Sequence, residues 1–92
     1  RIENKYFAMG NMIQCKIQFT EEGYHSYKMI SHLRPKPIEE NEKNKVLTFN
    51  EPEDSLFFYF KQFGQSIKIL EPQSLKNRLK DFYKNALENY ED

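Results

Sequence analysis

The sequence predicts a single α+β domain in which strands and helices alternate. Three observations carry this. Met12–Phe19 alternates apolar and polar residues with period two, 73–90 repeats apolar residues at helical spacing, and proline and glycine punctuate the chain between such segments. Ninety-two residues make one domain, since two would leave neither half enough interior. The 8 Phe and 6 Tyr supply large apolar area for a core of that size.

In the first segment, Ile13, Cys15, Ile17 and Phe19 share one face while Gln14, Lys16 and Gln18 share the other, the pattern of a half-buried strand. Thr20 follows as a helix cap, with Glu21 and Glu22 in the first turn, where the helix dipole favours acids. Tyr24, Tyr27, Ile30 and Leu33 give that helix its apolar stripe, and Pro35 stops it. Pro35–Glu40 reads as a weak strand with Ile38 its only large apolar residue, and Asn41–Asn44 as the turn after it. Lys45–Asn50 is a better strand, Leu47 and Phe49 on one side, Val46 and Thr48 on the other. Pro52 suits a helix first turn, Glu53 and Asp54 follow, and Leu56, Phe57, Phe60 and Phe63 form the stripe, with Gly64 as the stop. Ser66–Leu70 is a short strand. Pro72 opens the last helix, whose stripe is Leu75, Leu79, Phe82, Ala86 and Tyr90, with Lys76, Arg78, Lys80 and Lys84 expected on the opposite, solvated side.

The order is βαββαβ plus a C-terminal helix. Right-handed crossovers turn it into a ferredoxin-like sandwich: a four-stranded antiparallel sheet, spatial order fourth, first, third, second strand, with helices on one face. The second strand becomes an edge, which suits Pro35, Lys36 and Pro37, because proline cannot extend a ladder. Arg1–Asn11, ending in a Gly-Asn turn pair and opening without Met, reads as a linker from a preceding domain or a tag-adjacent tail, and 12–92 as the folded module.

Several function classes lose support on chemistry. Lys+Arg 14 against Asp+Glu 14 leaves no net field to draw nucleic acid or an acidic membrane. One cysteine forms no internal disulfide, and Cys15 on an apolar strand face reads as core, which points to a reducing, cytoplasmic setting. The longest apolar run, Leu56–Phe60, is too short to span a membrane, and no basic-then-apolar leader opens the chain. His25 and His32, seven apart on one predicted helix, stand ~10 Å apart along its axis, too far to be two ligands of one metal unless a third element intervenes. The pairs Glu21-Glu22 and Glu53-Asp54 occupy helix first turns, and Glu39-Glu40 borders a turn. The expectation is therefore no enzyme, no metal and no cofactor. The open sheet face, with Gln14, Lys16, Gln18, Val46 and Thr48, lacks the aromatics on which RNA bases stack. Thr20–Gly23 lacks the arginine-bearing phosphate loop of an acylphosphatase-like enzyme.

The run from Phe60-Lys61-Gln62-Phe63-Gly64 through Ile67-Lys68-Ile69-Leu70-Glu71-Pro72 to Leu75, continued to Tyr90, resembles the end of bacterial WYL-domain transcriptional regulators: a helix closing in Phe-Gly, a strand closing in Leu-Glu-Pro, then a Leu-rich helix. Ile13–Glu22 is similar to the first strand of the same C-terminal extension, called WCX. The likeness covers Met12 to Tyr90 and departs from the pattern in the polar second strand. It implies a non-catalytic regulatory and dimerisation module that assists effector sensing by a WYL domain. With no Trp in the chain, the Trp-Tyr-Leu barrel itself is absent. The implied partners are a second copy of the chain and the WYL and helix-turn-helix domains of the parent. DNA, or a nucleic-acid effector, would be reached only through the full-length protein. Position alone makes Lys16, Arg34 and Lys36 the candidate effector- or partner-facing residues. Lys68 and Ile69, on the proline-free edge strand, are the candidate dimer edge. The alternative is a free-standing ferredoxin-like domain that binds a small metabolite.

Overall fold

The computed structural model describes residues 12–30 and 34–91. The reading of Arg1–Asn11, and those of His32 and Leu33, lie outside the described residues. Four strands, β1 (Met12–Phe19), β2 (Glu39–Asn41), β3 (Val46–Pro52) and β4 (Ile67–Glu71), form an antiparallel sheet in the order β2-β3-β1-β4. Among the described residues, three α-helices accompany it: α1 (Glu21–Met29), α2 (Glu53–Phe60) and α3 (Gln73–Glu88). This is the predicted ferredoxin-like topology with its added C-terminal helix.

Alternation on β1 does what it predicts. Cys15, Ile17 and Phe19 are buried, and β3 turns Leu47 and Phe49 to the same side. Phe60 of α2 lies at the centre of the core, fully buried, with Phe49 at 5.3 Å, Phe63 at 5.4 Å, Phe19 at 6.1 Å and Tyr27 at 6.3 Å between ring centroids. Such pairs add about 0.5–1.5 kcal/mol each beyond the area they bury.

The boundaries differ from expectation where prolines and side-chain hydrogen bonds intervene. Helix α1 ends at Met29, and Ile30 is already extended (φ −90°, ψ 93°). β2 is only three residues long. Pro35 and Pro37 have no N–H for a ladder, and the Pro35 carbonyl instead accepts from the buried Tyr27 hydroxyl at 2.6 Å. Sheet-like bonding begins just ahead of the strand, where the Ile38 N–H donates to the Thr48 carbonyl at 2.7 Å. Asn41 belongs to β2, and its Oδ1 accepts from the Asn44 N–H at 3.1 Å to start the turn. β3 continues through Pro52, which caps α2 rather than lying inside it, because Met12 and Ile13 of β1 still pair opposite Pro52 and Glu51. Helix α2 ends at Phe60, and 3-10 turns over Lys61–Ser66, broken by a kink at Gly64 (φ 57°, ψ −125°), lead to β4. In α3 only Leu75 and Leu79 of the expected stripe are buried. Phe82, Leu87 and Tyr90 are exposed, although the Phe82 ring still meets Phe57 at 5.6 Å between centroids.

One junction joins three elements. Thr20 caps α1, its Oγ1 accepting from the Gly23 N–H at 3.0 Å. Its N–H and hydroxyl both donate to the Ser66 carbonyl, at 2.9 and 3.2 Å. Gly23 lies against that same carbonyl, so close that a Cβ on it would stand 2.3 Å from the oxygen.

Gly23→Ala is therefore expected to destabilise by about 1–3 kcal/mol through overpacking against backbone. Gly64→Ala has open space around it, but φ 57° with ψ −125° is a backbone conformation that residues with a Cβ rarely adopt, so it should cost about 1–3 kcal/mol as strain. Urea unfolding midpoints check both, and a loss below about 0.5 kcal/mol in either variant would refute the cause given for it. Alkaline pH supplies a second test. Burial pushes the Tyr27 hydroxyl up to about 12 from 10.0. A pKa raised in the folded state contributes stability that is complete below the unfolded value and lost as pH rises through the folded one. Stability should thus fall between about pH 10 and pH 12, and by less in Tyr27→Phe.

Candidate functional site

The side chains of Gln14, Lys16 and Gln18 on β1, with Val46, Thr48 and Asn50 on β3, occupy the sheet face opposite the helices, since their neighbours along each strand are in the core. No aromatic residue lies on that face among the described residues. Thr48 is buried even there, because Lys16 and Glu39 flank it in register. A shallow groove of about 430 Å³ runs along these positions. Lys16 borders it, but so do Glu39 and Glu40, and the Lys16 ammonium lies 3.9 Å from Glu71. A groove with two carboxylates beside one paired lysine does not attract a polyanion.

Arg34 and Lys36 are placed apart from Lys16. The Arg34 guanidinium folds onto the end of α1, where Nη1 donates to the carbonyls of Tyr27 and Lys28 at 3.2 and 3.1 Å. It also stacks 4.9 Å from the Tyr27 ring. These are terminal carbonyls that the helix cannot satisfy itself. Arg34 is thus occupied as a helix cap, a role the sequence does not announce because its partners lie six and seven residues back along the chain. Lys36 is exposed and has no hydrogen bond or ion pair to any described residue. Close by, Glu40 accepts from the Tyr24 hydroxyl and pairs with Lys28 at 3.1 Å, which joins β2 to α1. The Tyr24 bond, then Lys28, holds the Glu40 carboxyl below its usual range.

The acid-bearing and thiol positions are arranged structurally. Glu21 and Glu22 open α1, and Glu53 and Asp54 open α2. Asp54 also takes Arg78 Nη1 at 2.7 Å. Cys15 is buried, and desolvation, with Glu71 and Glu53 nearby, pushes its thiol up to about 12. His25 is exposed on α1. No group of three His, Cys, Asp or Glu among the described residues is arranged to hold a metal ion. No helix among them is long and apolar enough to cross a membrane.

Two surfaces emerge that residue spacing does not disclose. Lys61 Nζ lies 4.9, 5.3 and 5.6 Å from the ring centroids of Phe58, Phe82 and Phe57, where α2 meets α3, and Arg78 stacks 4.2 Å over Phe57. The outward Phe58 in the run Leu56–Phe60 was the available signal. The second surface is a groove of about 290 Å³ between β4 and α3, which includes Lys68 and Ile69. The basic residues of α3 are therefore not one solvated side: Lys76 and Lys80 border this groove, whereas Arg78 turns to α2.

Arg34→Ala should lower stability by about 1–2 kcal/mol through loss of the cap and the cation–π contact. Arg34→Lys should recover less than half of that, since an ammonium lacks the planar fork. Thermal melts of the three proteins check this, and full recovery by lysine would show that charge alone matters there.

No family model matches the sequence, and no curated protein matches it. Among solved structures, the crystal structure of a CRISPR Cas-related protein is similar, with a TM-score of 0.72 and 26% sequence identity. The similarity covers 84% of this chain and 20% of that one, so this chain corresponds to about a fifth of that protein.

Proposed function

We propose that this chain is a non-catalytic regulatory module of a longer protein, equivalent to the WCX extension of a WYL-type transcriptional regulator. The observation that carries the reading is the correspondence with one fifth of a CRISPR Cas-related protein, at 26% identity over most of the present chain. A domain that recurs as a minor part of a larger protein is suited to an accessory role. The likeness of 60–90 to the ends of WYL-domain regulators supports this particular accessory role. Chemistry is in keeping with it: the pairs Glu21-Glu22 and Glu53-Asp54 begin helices, Glu39-Glu40 lies in β2, and the one thiol is buried and protonated at neutral pH. In this reading DNA is read elsewhere in the parent, which acts as a homodimer in the cytoplasm, and the module steadies that dimer and the neighbouring effector site.

The test compares the parent chain, expressed from the reading frame that encodes these residues, with the same chain lacking 12–92. Deletion should weaken binding of a single-stranded DNA oligonucleotide about tenfold, a coupling of ~1.4 kcal/mol, and shift the elution mass toward monomer. Operator binding by the helix-turn-helix should persist at high protein concentration. Unchanged effector affinity together with unchanged mass would overturn the proposal, as would a parent frame encoding no helix-turn-helix and no Trp-Tyr-Leu barrel.

A further inference from the structure

β4 is an edge strand, and its outward main chain is identifiable. The Thr20 N–H donates to the Ser66 carbonyl, and the Phe19 N–H donates to Lys45 on the opposite side of β1. The register then alternates, with Phe19 opposite Ile67, Gln18 opposite Lys68 and Ile17 opposite Ile69. Antiparallel pairs alternate between bonded and non-bonded, so Lys68 bonds to β1 while Ile67 and Ile69 turn their N–H and C=O groups away from the sheet. No strand pairs with β4 on that side among the described residues.

The space beside this edge is the groove between β4 and α3. Its apolar lining comes from Ile67, Ile69, Leu79 and Tyr83, and the Tyr83 ring is held in place by a hydrogen bond from its hydroxyl to the Lys61 carbonyl at 2.8 Å. Every charged residue that lines it is a lysine: Lys68, Lys76 and Lys80. None of the three is paired with a carboxylate among the described residues.

We propose that the β4 edge and the α3 groove receive an extended acidic segment of a partner protein, which adds as a fifth strand. The three features select this occupant jointly. Outward amides and carbonyls at alternate residues bond to a strand, the apolar lining takes its alternate side chains, and the lysines take its carboxylates. A second copy of the chain is the poorer occupant. Self-pairing along β4 would bring two sets of the same three lysines to one seam, and like charges across paired strands destabilise them. A phosphate backbone would use the lysines and leave the apolar lining and the edge unused. The proposal is independent of the regulatory reading, because it concerns a surface that this chain forms alone.

The probe is a fluorescent peptide of alternating valine and glutamate, titrated into the 92-residue chain while backbone amide resonances are followed. Saturable binding is expected, with the largest shifts at the Ile67 and Ile69 amides. The Lys76→Glu/Lys80→Glu double variant should bind about tenfold more weakly with an unchanged circular dichroism spectrum. N-methylation of alternate peptide amides should abolish binding. Absence of binding, undiminished binding by the double variant, or undiminished binding of the N-methylated peptide would each overturn the proposal. So would stronger competition by a single-stranded DNA oligonucleotide than by unlabelled peptide. Elution as a dimer with the Ile67 and Ile69 amides already protected would assign the edge to a second copy.

Discussion

The Ser66 carbonyl is the point on which the rest of the architecture depends. It accepts from the Thr20 N–H and hydroxyl, and Gly23 presses against it with no room for a side chain. Three requirements are met at one atom: β1 ends, α1 begins, and β4 enters the sheet beside β1. A split βαβ fold needs its last strand to return to the first across two crossovers, and such distant pairing is the costly part of forming it. The Thr20–Gly23–Ser66 contact fixes the register of that return, with Phe19 opposite Ile67, and so fixes which face of β4 carries Ile69 into the core.

From that register the distribution of charge follows. The chain is neutral overall, yet its charges are not evenly used. Lys16, Lys28, Lys45 and Arg78 each have an acidic neighbour within 4 Å. Exposed pairs of this kind contribute about 0–1 kcal/mol each, so they cancel field more than they hold the fold. The lysines beside β4 have no such neighbour among the described residues. A neutral composition thus conceals a basic groove, and the groove coincides with a sheet edge whose backbone is unpaired among the described residues.

The sheet was legible because its information is local. Strand alternation on β1 and β3, the acids after Thr20 and Pro52, and the spacing of Leu75 and Leu79 each act within a few residues, and all four strands occur in the predicted order. The misplaced boundaries have nonlocal causes. The Pro35 carbonyl is taken by Tyr27, and the end of α1 is capped by Arg34 from outside the helix. Arg34, chosen by position as an effector contact, is used to satisfy backbone, and Lys16 is offset by Glu71 across a bulged register. Lys68 and Ile69 belong to a strand at the edge of the sheet, Lys68 exposed and Ile69 turned into the core. The helix beside them, with Lys76 and Lys80, came from what looked like an ordinary solvated stripe.

What the sequence by itself determined is which segments alternate with period two, which repeat at helical spacing, and hence a βαββαβ order that admits few topologies. Those are properties of neighbouring residues, set by backbone geometry and apolar patterning. Only the tertiary structure decided which lysines share a surface and which arginine is already engaged. Those depend on the rotation of α3 about its own axis and on the register of β4 against β1. Both are set by how Leu75, Leu79 and Ile69 pack in the common core, and a one-residue slip in either would present different side chains to solvent.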